Sequence, residues 1–438
     1  MSDDVSEDGS SEESWVQRTI KRVGKGSPIR ELIKLKRHPM DFPLHVWGAR
    51  ISEGLEATLP ETTGRLVASG ISDKREEAIA AACGEALERY TFALLHETLE
   101  DTPTARSSSN FSSELIFNLP FLLPKDISRK AWCEEALRQP CRTMQAWRYN
   151  ENGKRQKTSL PVEFITQDGR HTLFSTTNGM ATGTDFERAV MRGLNEVVER
   201  DALMLVWLCQ VPGTRVDPKE VLSTRYVEQI DRMEEQGVEI SLQEVSTDLG
   251  FHAVLAVSGH FPEGEQPLFA FGAGADMDRR SAAVHAYQEA CLGWKGTSLR
   301  VLSEPWSSTT SENNGAMPES FVEHADFYAC PENLHHVSFL FDPNDAADRE
   351  IPHGGPNYLS LDARLRRLNR EIYVLNLTPP DVRELGAYVV KVVVPGLVPF
   401  TVGDQRCDEL AASRLPTTIG RETISDGREF NRLPHPWP

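Results

Sequence analysis

Thr184-Asp185-Phe186-Glu187-Arg188-Ala189-Val190-Met191-Arg192-Gly193-Leu194-Asn195-Glu196-Val197-Val198-Glu199-Arg200-Asp201 opens a helix that runs to about Cys209. Thr184 and Glu187 have the spacing of a capping box, and Ala189, Leu194, Val197, Val198, Leu203 and Leu205 supply the apolar share. Glu196 and Glu199 stand one turn apart on this helix, followed at once by Arg200. An earlier helix, over residues 72–99, carries the same E-x-x-E-R pattern at Glu85-Ala86-Leu87-Glu88-Arg89. Asp73 and Glu76 mark its start, and Ile79, Ala82, Ala86, Tyr90 and Leu94 trace its apolar stripe. A third helix is expected over about residues 280–294.

Strand-like runs lie among the helices. They include Leu44-His45-Val46-Trp47 at the end of a loop over residues 27–52, then Ala253-Val254-Leu255-Ala256-Val257 and Leu268-Phe269-Ala270-Phe271. Near the end, Ile372-Tyr373-Val374-Leu375 and Tyr388-Val389-Val390-Lys391-Val392-Val393-Val394 read as buried strands. Helices mixed with strands throughout predict an α+β (mixed α/β) fold, with mixed sheets packed against helices in one large domain. Residues 1–14 hold almost nothing that could be buried and are expected to be a disordered acidic N-terminus. Residues 15–64 form an N-terminal segment packing on the core, 65–405 the core domain, and 406–438 a tail ending in P-x-P-x-P. Residues 303–356, rich in Ser, Asn, Pro and Gly, read as an insertion with long loops.

The 438 residues carry a formal net charge of -18. That charge repels phosphate backbones, and no basic block longer than Lys34-Leu35-Lys36-Arg37 offsets it, so nucleic acid is excluded as a partner. No run of about 18 apolar residues is present, which excludes a membrane span of that kind. The acidic start is the opposite of a secretory signal, and a cytoplasmic location is expected. The seven cysteines, Cys83, Cys133, Cys141, Cys209, Cys291, Cys330 and Cys407, contain no C-x-x-C pair. They fit neither a disulfide framework nor a zinc site, and are expected to be reduced and mostly buried.

Two glutamates one turn apart offer hard oxygen ligands, and two such pairs on facing helices would bring four carboxylates together. Mg²⁺ takes such ligands and completes its shell with water and substrate phosphates. An adjacent arginine can stabilise transferring charge. The plainer reading is a pair of i,i+4 ion pairs, Glu85–Arg89 and Glu196–Arg200, each contributing about 0.2–0.5 kcal/mol on a solvated face. Ala78, Ala81 and Gly84 around the first pair are small for such a face, and permit close approach of another element or a ligand. No G-x-x-x-x-G-K-[ST] loop is present, and Gly272-Ala273-Gly274 lacks the third glycine of a dinucleotide loop. His285 and Glu289 have i,i+4 metal-ligand spacing, which chance explains as well in a chain with 12 histidines.

Three segments carry a family resemblance. They are Ala80-Ala81-Ala82-Cys83-Gly84-Glu85-Ala86-Leu87-Glu88-Arg89-Tyr90; Thr176-Thr177-Asn178-Gly179-Met180-Ala181-Thr182-Gly183 continuing through Gly193 to Asp201; and Gly386-Ala387-Tyr388-Val389-Val390-Lys391-Val392-Val393-Val394-Pro395-Gly396-Leu397. In these the chain resembles the YcaO family, and within it the azoline-forming cyclodehydratases (D-protein type) of ribosomal peptide natural product biosynthesis. The resemblance spans roughly residues 65–405. It implies a YcaO-like fold, with Glu85, Glu88, Glu196 and Glu199 binding Mg²⁺ and ATP phosphates, Arg200 contacting phosphate, and Asn178 shaping the turn before the helix. The chain departs from the family at Ser69-Gly70-Ile71-Ser72, where Gly-Lys-Gly is frequent, so a lysine contact to nucleotide is missing or comes from elsewhere. It departs again at Arg188, where a glutamate is common. The adjacent Glu187 becomes a candidate metal ligand on that account.

The reaction the resemblance implies is ATP-dependent cyclodehydration of Cys, Ser or Thr in a ribosomal precursor peptide. The side chain attacks the preceding carbonyl to give a hemiorthoamide, whose former amide oxygen is phosphorylated by ATP. Loss of phosphate leaves thiazoline or oxazoline, with ADP as co-product. The chain ends Pro434-His435-Pro436-Trp437-Pro438. Alternating prolines favour an extended left-handed segment of about 3.1 Å per residue that loses little entropy on docking. A frayed tail, or a ligand for a proline-binding module, is the plainer reading. By resemblance the tail threads toward the ATP site, and the Pro438 carboxylate is the catalytic candidate that orients or deprotonates the attacking thiol or hydroxyl. Its ordinary pKa of about 3.3–3.7 makes it a weak base unless desolvated. The partners implied are the precursor peptide, an E1-like or leader-peptide-binding protein, a flavin-dependent azoline dehydrogenase, and a second copy of the chain in a homodimer. The rival readings are a YcaO-type thioamidation enzyme and a non-catalytic scaffold subunit.

Overall fold

The apolar runs expected as strands pair, all antiparallel, into separate sheets with helices packed on them. The computed structural model describes residues 14–39, 41–52, 54–55, 67–101, 111–124, 128–136, 142–161, 177–261, 268–303, 318, 323–324, 327–328, 331–345, 360–401, 405–418 and 430–437. Of the stretch 1–14 expected to be disordered, residues 1–13 lie outside them, while Ser14 caps the first helix.

The strands are β1 (Ile29–Lys34), β2 (His45–Ile51), β3 (Val67–Ser72), β4 (Leu123–Pro124), β5 (Thr143–Tyr149), β6 (Arg155–Pro161) and β7 (Met180–Gly183), followed by β8 (Thr214–Val216), β9 (Glu239–Glu244), β10 (His252–His260), β11 (Leu268–Asp276), β12 (Ile372–Asn376), β13 (Tyr388–Val393) and β14 (Gln405–Arg406). The helices are α1 (Trp15–Arg22), α2 (Arg75–Asp101), α3 (Ser113–Asn118), α4 (Arg129–Ala136), α5 (Phe186–Cys209), α6 (Pro218–Val221), α7 (Thr224–Glu234), α8 (Arg279–Ser303), α9 (Leu361–Leu368), α10 (Pro380–Glu384) and α11 (Asp408–Thr418). One sheet runs β1-β2-β3, a second β11-β10-β9-β8, and a third β6-β5-β12-β13-β7, with a short β14-β4 pair beside them. The stretch 27–52 holds two strands rather than a loop and one. Only Ile29 of β1 is buried, so the alternation that betrays a strand is nearly absent there.

Each long helix lies on a sheet: α2 on β2 and β3, α5 on β7 and β13, and α8 on β10 and β11. The stripe foreseen on α2 is buried at Ile79, Ala82, Ala86 and Tyr90, and the small Ala78 packs against β3 at Gly70. A side chain added at Gly272 would stand 2.0 Å from the Ala290 backbone nitrogen, and one at Gly274 2.2 Å from the Ala282 carbonyl oxygen. Those glycines let α8 approach the sheet, which accounts for a pair that makes no nucleotide loop.

Two helix starts differ from the expected caps. Asp185, not Thr184, caps α5: its backbone is extended and its carboxylate accepts the Arg188 N–H at 2.8 Å. The Asp73 carboxylate accepts from the Tyr226 hydroxyl and from Arg225, both at 3.2 Å, while the Ser72 hydroxyl accepts the Lys74 N–H at 3.2 Å. In both places a neighbouring residue with a short oxygen-bearing side chain has the better geometry.

The α11 helix is tied to α5 by a buried ion pair, Arg414 to Asp201 at 2.9 Å, and Arg414 also meets Asp248 at 2.6 Å. Asp201 further accepts the Val398 N–H at 2.9 Å. Asp201→Ala removes the fully buried partner of Arg414 and is expected to cost stability toward the lower end of about 3–5 kcal/mol, read as a lowered urea midpoint. Cys83, Cys133, Cys209, Cys291 and Cys407 are free thiols, and all but Cys209 are buried; Cys141 and Cys330 lie outside the described residues. Among the described residues no helix is long and apolar enough to cross a membrane.

Candidate active site

Strand β7 stands between the two glutamate helices, and Thr182 on it holds them together. Its backbone N–H donates to Glu88 at 2.7 Å, its hydroxyl to the Gly84 carbonyl at 3.0 Å, and its own carbonyl accepts from Arg192 at 2.9 Å. The turn before β7 closes from Met180 N–H to the Thr177 carbonyl at 2.8 Å, with Asn178 and Gly179 at its corner. Gly179 has φ +78°, and a side chain there would lie 2.1 Å from the Val392 carbonyl oxygen. Only glycine fits both demands. Gly193 lets α5 close onto this turn, since a side chain there would stand 2.6 Å from the Gly179 carbonyl oxygen. Asn195, next to Glu196, donates to Asp276 at 2.8 Å and accepts from Arg364 at 2.7 Å, which fixes α5 against the end of β11.

The carboxylates consequently share one region. Glu88 lies near enough to Glu196 and Glu85 for their charges to act on it, and Glu196 and Glu199 act on each other. Burial first, then the charges of Glu196 and Glu85, push Glu88 up to about 8. Burial and the Glu289 charge push Glu199 up to about 8 as well. Glu196 is raised by burial despite the opposing charges of Arg200 and Lys391. Glu85 accepts the Ser69 N–H at 2.7 Å and pairs with Arg89. The i,i+4 pairing anticipated on α5 is also present, Arg200 to Glu196 at 2.6 Å, with side-chain exposures of 20% and 23%. These paired groups are partly buried and do not lie on an open face.

Helix α8 adds a fifth carboxylate that the E-x-x-E-R pattern does not contain. Glu289 acts on both Glu196 and Glu199, accepts the Ala273 N–H at 3.2 Å, and meets His285 Nε2 at 3.1 Å. Burial disfavours the His285 imidazolium, but the Glu289 hydrogen bond and the Glu289 and Glu199 charges outweigh it and raise it to about 9. The His285 and Glu289 side chains nonetheless keep exposures of 61% and 45%. The i,i+4 spacing of His285 and Glu289 was the visible signal for this contribution. A second signal was the lone Lys391 in the apolar β13 run. Lys391 is 3% exposed, acts on Glu196, and is lowered to about 7 chiefly by burial. A lysine therefore does stand beside the carboxylates, although none occurs at Ser69–Ser72.

Glu187, offered as a metal ligand, is exposed in the first turn of α5. Nine residues before Glu196, it lies about 13 Å away along the axis. Pro438 lies outside the described residues, but Pro434, His435, Pro436 and Trp437 are all buried. The His435 ring stands 4.6 Å from Phe400, and the Arg200 guanidinium lies 4.9 Å over Phe400. The tail thus packs on the same Phe400 ring as the arginine that pairs with Glu196.

Carboxylates held together at raised pKa are a donor set that Mg²⁺ and a magnesium-bound triphosphate fit, since a divalent cation relieves their repulsion. Among the described residues no three His, Cys, Asp or Glu side chains stand together closely enough to hold a metal ion by themselves. An acid raised in the folded state makes the metal-free protein less stable as pH climbs from its unfolded value, about 4.5, toward 8. Mg²⁺ with ATP must displace those protons, so its stabilising effect is expected to grow across that window. Thermal midpoints with and without Mg²⁺-ATP should differ little at about pH 6 and most at about pH 8.5; a gap that narrows with rising pH would contradict the site.

A family model described as YcaO cyclodehydratase, ATP- and Mg²⁺-binding, matches residues 69–398. The chain is 26% identical over 244 residues to an uncharacterized protein of Methanothermobacter thermautotrophicus, covering 55% of this chain and 60% of that one. It is 31% identical over 121 residues to an uncharacterized protein in the tfuA 3′ region of Rhizobium leguminosarum bv. trifolii, covering 26% and 29%. The chain thus spans less than two thirds of either relative's length. A heterocyclase in complex with substrate and cofactor superposes at TM-score 0.65 with 20% identity, over 97% of this chain and 57% of that one. The YcaO of Methanopyrus kandleri bound with AMPPCP and Mg²⁺ gives TM-score 0.56 and 20% identity, over 87% and 89%. The E. coli microcin synthetase McbBCD complex with pro-MccB17 bound gives 0.57 and 14%, over 84% and 88%. At such identities the structures establish the fold, which is the mixed α+β fold of the YcaO proteins. Since the family model runs through the turn, the strands and all three carboxylate-bearing helices, and covers well over half of the sequence, the chain belongs to the YcaO family of ATP- and Mg²⁺-binding enzymes.

Proposed function

We propose that the chain catalyses ATP-dependent cyclodehydration of Cys, Ser or Thr in a ribosomal precursor peptide to thiazoline or oxazoline. The observation that carries this reading is the buried P-x-P-x tail running up to the Arg200–Glu196 pair. A tail that only frays has no reason to be buried there. Bound Mg²⁺-ATP supplies the phosphoryl group that turns the amide oxygen into a leaving group. Glu85, Glu88, Glu196 and Glu199, with Glu289, hold the magnesium-bound phosphates. Arg200, kept in place by Glu196 and the Phe400 ring, presents positive charge to the transferring group. Asn178 and Gly179 hold the turn under Glu196, and the Pro438 carboxylate orients or deprotonates the attacking thiol or hydroxyl. The chain mainly positions reactants, which is where most of the rate for this chemistry originates.

A precursor peptide is delivered by an E1-like or leader-peptide-binding partner. The microcin synthetase complex with pro-MccB17 bound supports that expectation. A second reading, thioamidation with a different helper, draws on the relative from the tfuA 3′ region. Mass spectrometry of precursor peptide treated with the chain, its partner and Mg²⁺-ATP separates the two. Loss of about 18 Da per ring marks cyclodehydration, whereas a gain of about 16 Da marks exchange of oxygen for sulfur. Absence of peptide-stimulated ADP release would leave only the scaffold reading.

A further inference from the structure

Residues 434 and 436 are prolines, without N–H groups, so the tail that ends the chain cannot join a sheet ladder. Once buried, its carbonyls still need donors. Three consecutive carbonyls find them on side chains from separate parts of the chain. Trp207 Nε1 of α5 donates to the Leu433 carbonyl at 2.9 Å, the Tyr328 hydroxyl donates to the Pro434 carbonyl, and His324 Nδ1 meets the His435 carbonyl at 3.0 Å. Rings close around the same stretch. Tyr328 stands edge-on to Trp207 at 5.7 Å, His324 to His435 at 4.8 Å, and Trp437 to Phe271 at 5.3 Å. Trp437, at the end of this stretch, is 3% exposed. Burial lowers His324 to about 4, so its ring is neutral near pH 7 and the carbonyl selects the tautomer protonated at Nδ1.

His324 and Tyr328 belong to the segment 303–356, which the glutamate site does not use. We infer that these two side chains are positioning residues: with Trp207 they clamp the C-terminal tail and set how far it enters the nucleotide cleft. The inference rests on the reading that the tail serves the reaction. It adds that two side chains of this segment, His324 and Tyr328, grip that tail. The donors hold the backbone and the rings fix its register, because sliding by one residue would take Trp437 off Phe271 and His435 off His324 and Phe400. Proline stiffness then carries that register onward to the last residue.

The test compares wild type, Tyr328→Phe, and Tyr328→Phe combined with His324→Leu. Phenylalanine keeps the ring contacts and removes only the hydroxyl, so the single variant guards against loss of the fold. Hydrogen exchange of the His435 and Trp437 amides, followed by mass spectrometry, should accelerate about tenfold in the single variant and more in the double. Turnover of precursor peptide should fall by a similar factor or more, with ATP affinity within about twofold of wild type. Unchanged exchange in the double variant overturns the clamp, whatever the activity. Faster exchange with unchanged turnover overturns its positioning role. A wild-type chain carrying a short C-terminal extension is assayed alongside. Full activity there refutes a functional tail altogether, while the exchange data still decide whether His324 and Tyr328 grip it.

Discussion

Glu199→Gln is expected to lower peptide-stimulated ATP turnover by about 100-fold or more, while raising the thermal midpoint of the metal-free protein at about pH 8.5. The two effects share one cause. Glu199 is held up to about 8 by burial and by the nearby Glu289, so ionising it without a cation between them is unfavourable. Glutamine keeps the shape and removes the charge, which relieves that repulsion in the metal-free fold. In the proposed site the same charge holds a magnesium-bound triphosphate, so binding and turnover are expected to suffer. Glu199 is the sharper choice over Glu196, because Glu196 pairs with Arg200 at 2.6 Å and its removal would also release the arginine. A carboxylate on a merely solvated helix face predicts something else: activity within about twofold and a midpoint unchanged or slightly lower. Both quantities come from one preparation, by ADP release and by thermal melting without metal.

Adding a few residues after Pro438 is expected to reduce cyclodehydration about 100-fold or more, leaving the circular dichroism spectrum and ATP binding intact. The four residues before Pro438 are buried, with Trp437 set among Trp207 and Phe271. An extension either lengthens this buried stretch or draws it away from its donors. In each case the carboxylate of the proposed mechanism becomes a neutral amide, and misplacement of reacting groups by about 1 Å is enough for such a loss. The same extension at the N-terminus should change turnover by less than about twofold. Full peptide turnover by the C-terminally extended chain would remove the tail from the mechanism, and leave the glutamates as the whole of the proposed site.

Much of the site was legible beforehand because a helix turns local spacing into geometry. Glu85 with Glu88, and Glu196 with Glu199, must each share a helix surface at three residues apart. The small Ala78, Ala81 and Gly84 announced close packing, and β3 and Thr182 fill that space. Glu289 was less legible, since a single carboxylate on α8 has no neighbouring partner along the chain except His285. Lys391 was visible as the one charge in an apolar strand, yet its role depends on what lies across from β13. The caps at Asp185 and near Ser72 were misread because two adjacent residues of similar chemistry competed, and a difference of one residue is decided by backbone angles.

By itself the sequence marked the three long helices, five of the strands, and which helix surfaces carry paired carboxylates, because those properties depend on residues a few positions apart. Only the tertiary structure decided that α2, α5 and α8 aim their acids at one another, that β7 and β13 lie side by side, and that His324 and Tyr328 meet the tail more than 100 residues later. Those meetings are long-range packing choices. They are made by buried area and by glycines such as Gly179 and Gly193 that admit a distant backbone, and no local period in the chain encodes which distant backbone that is.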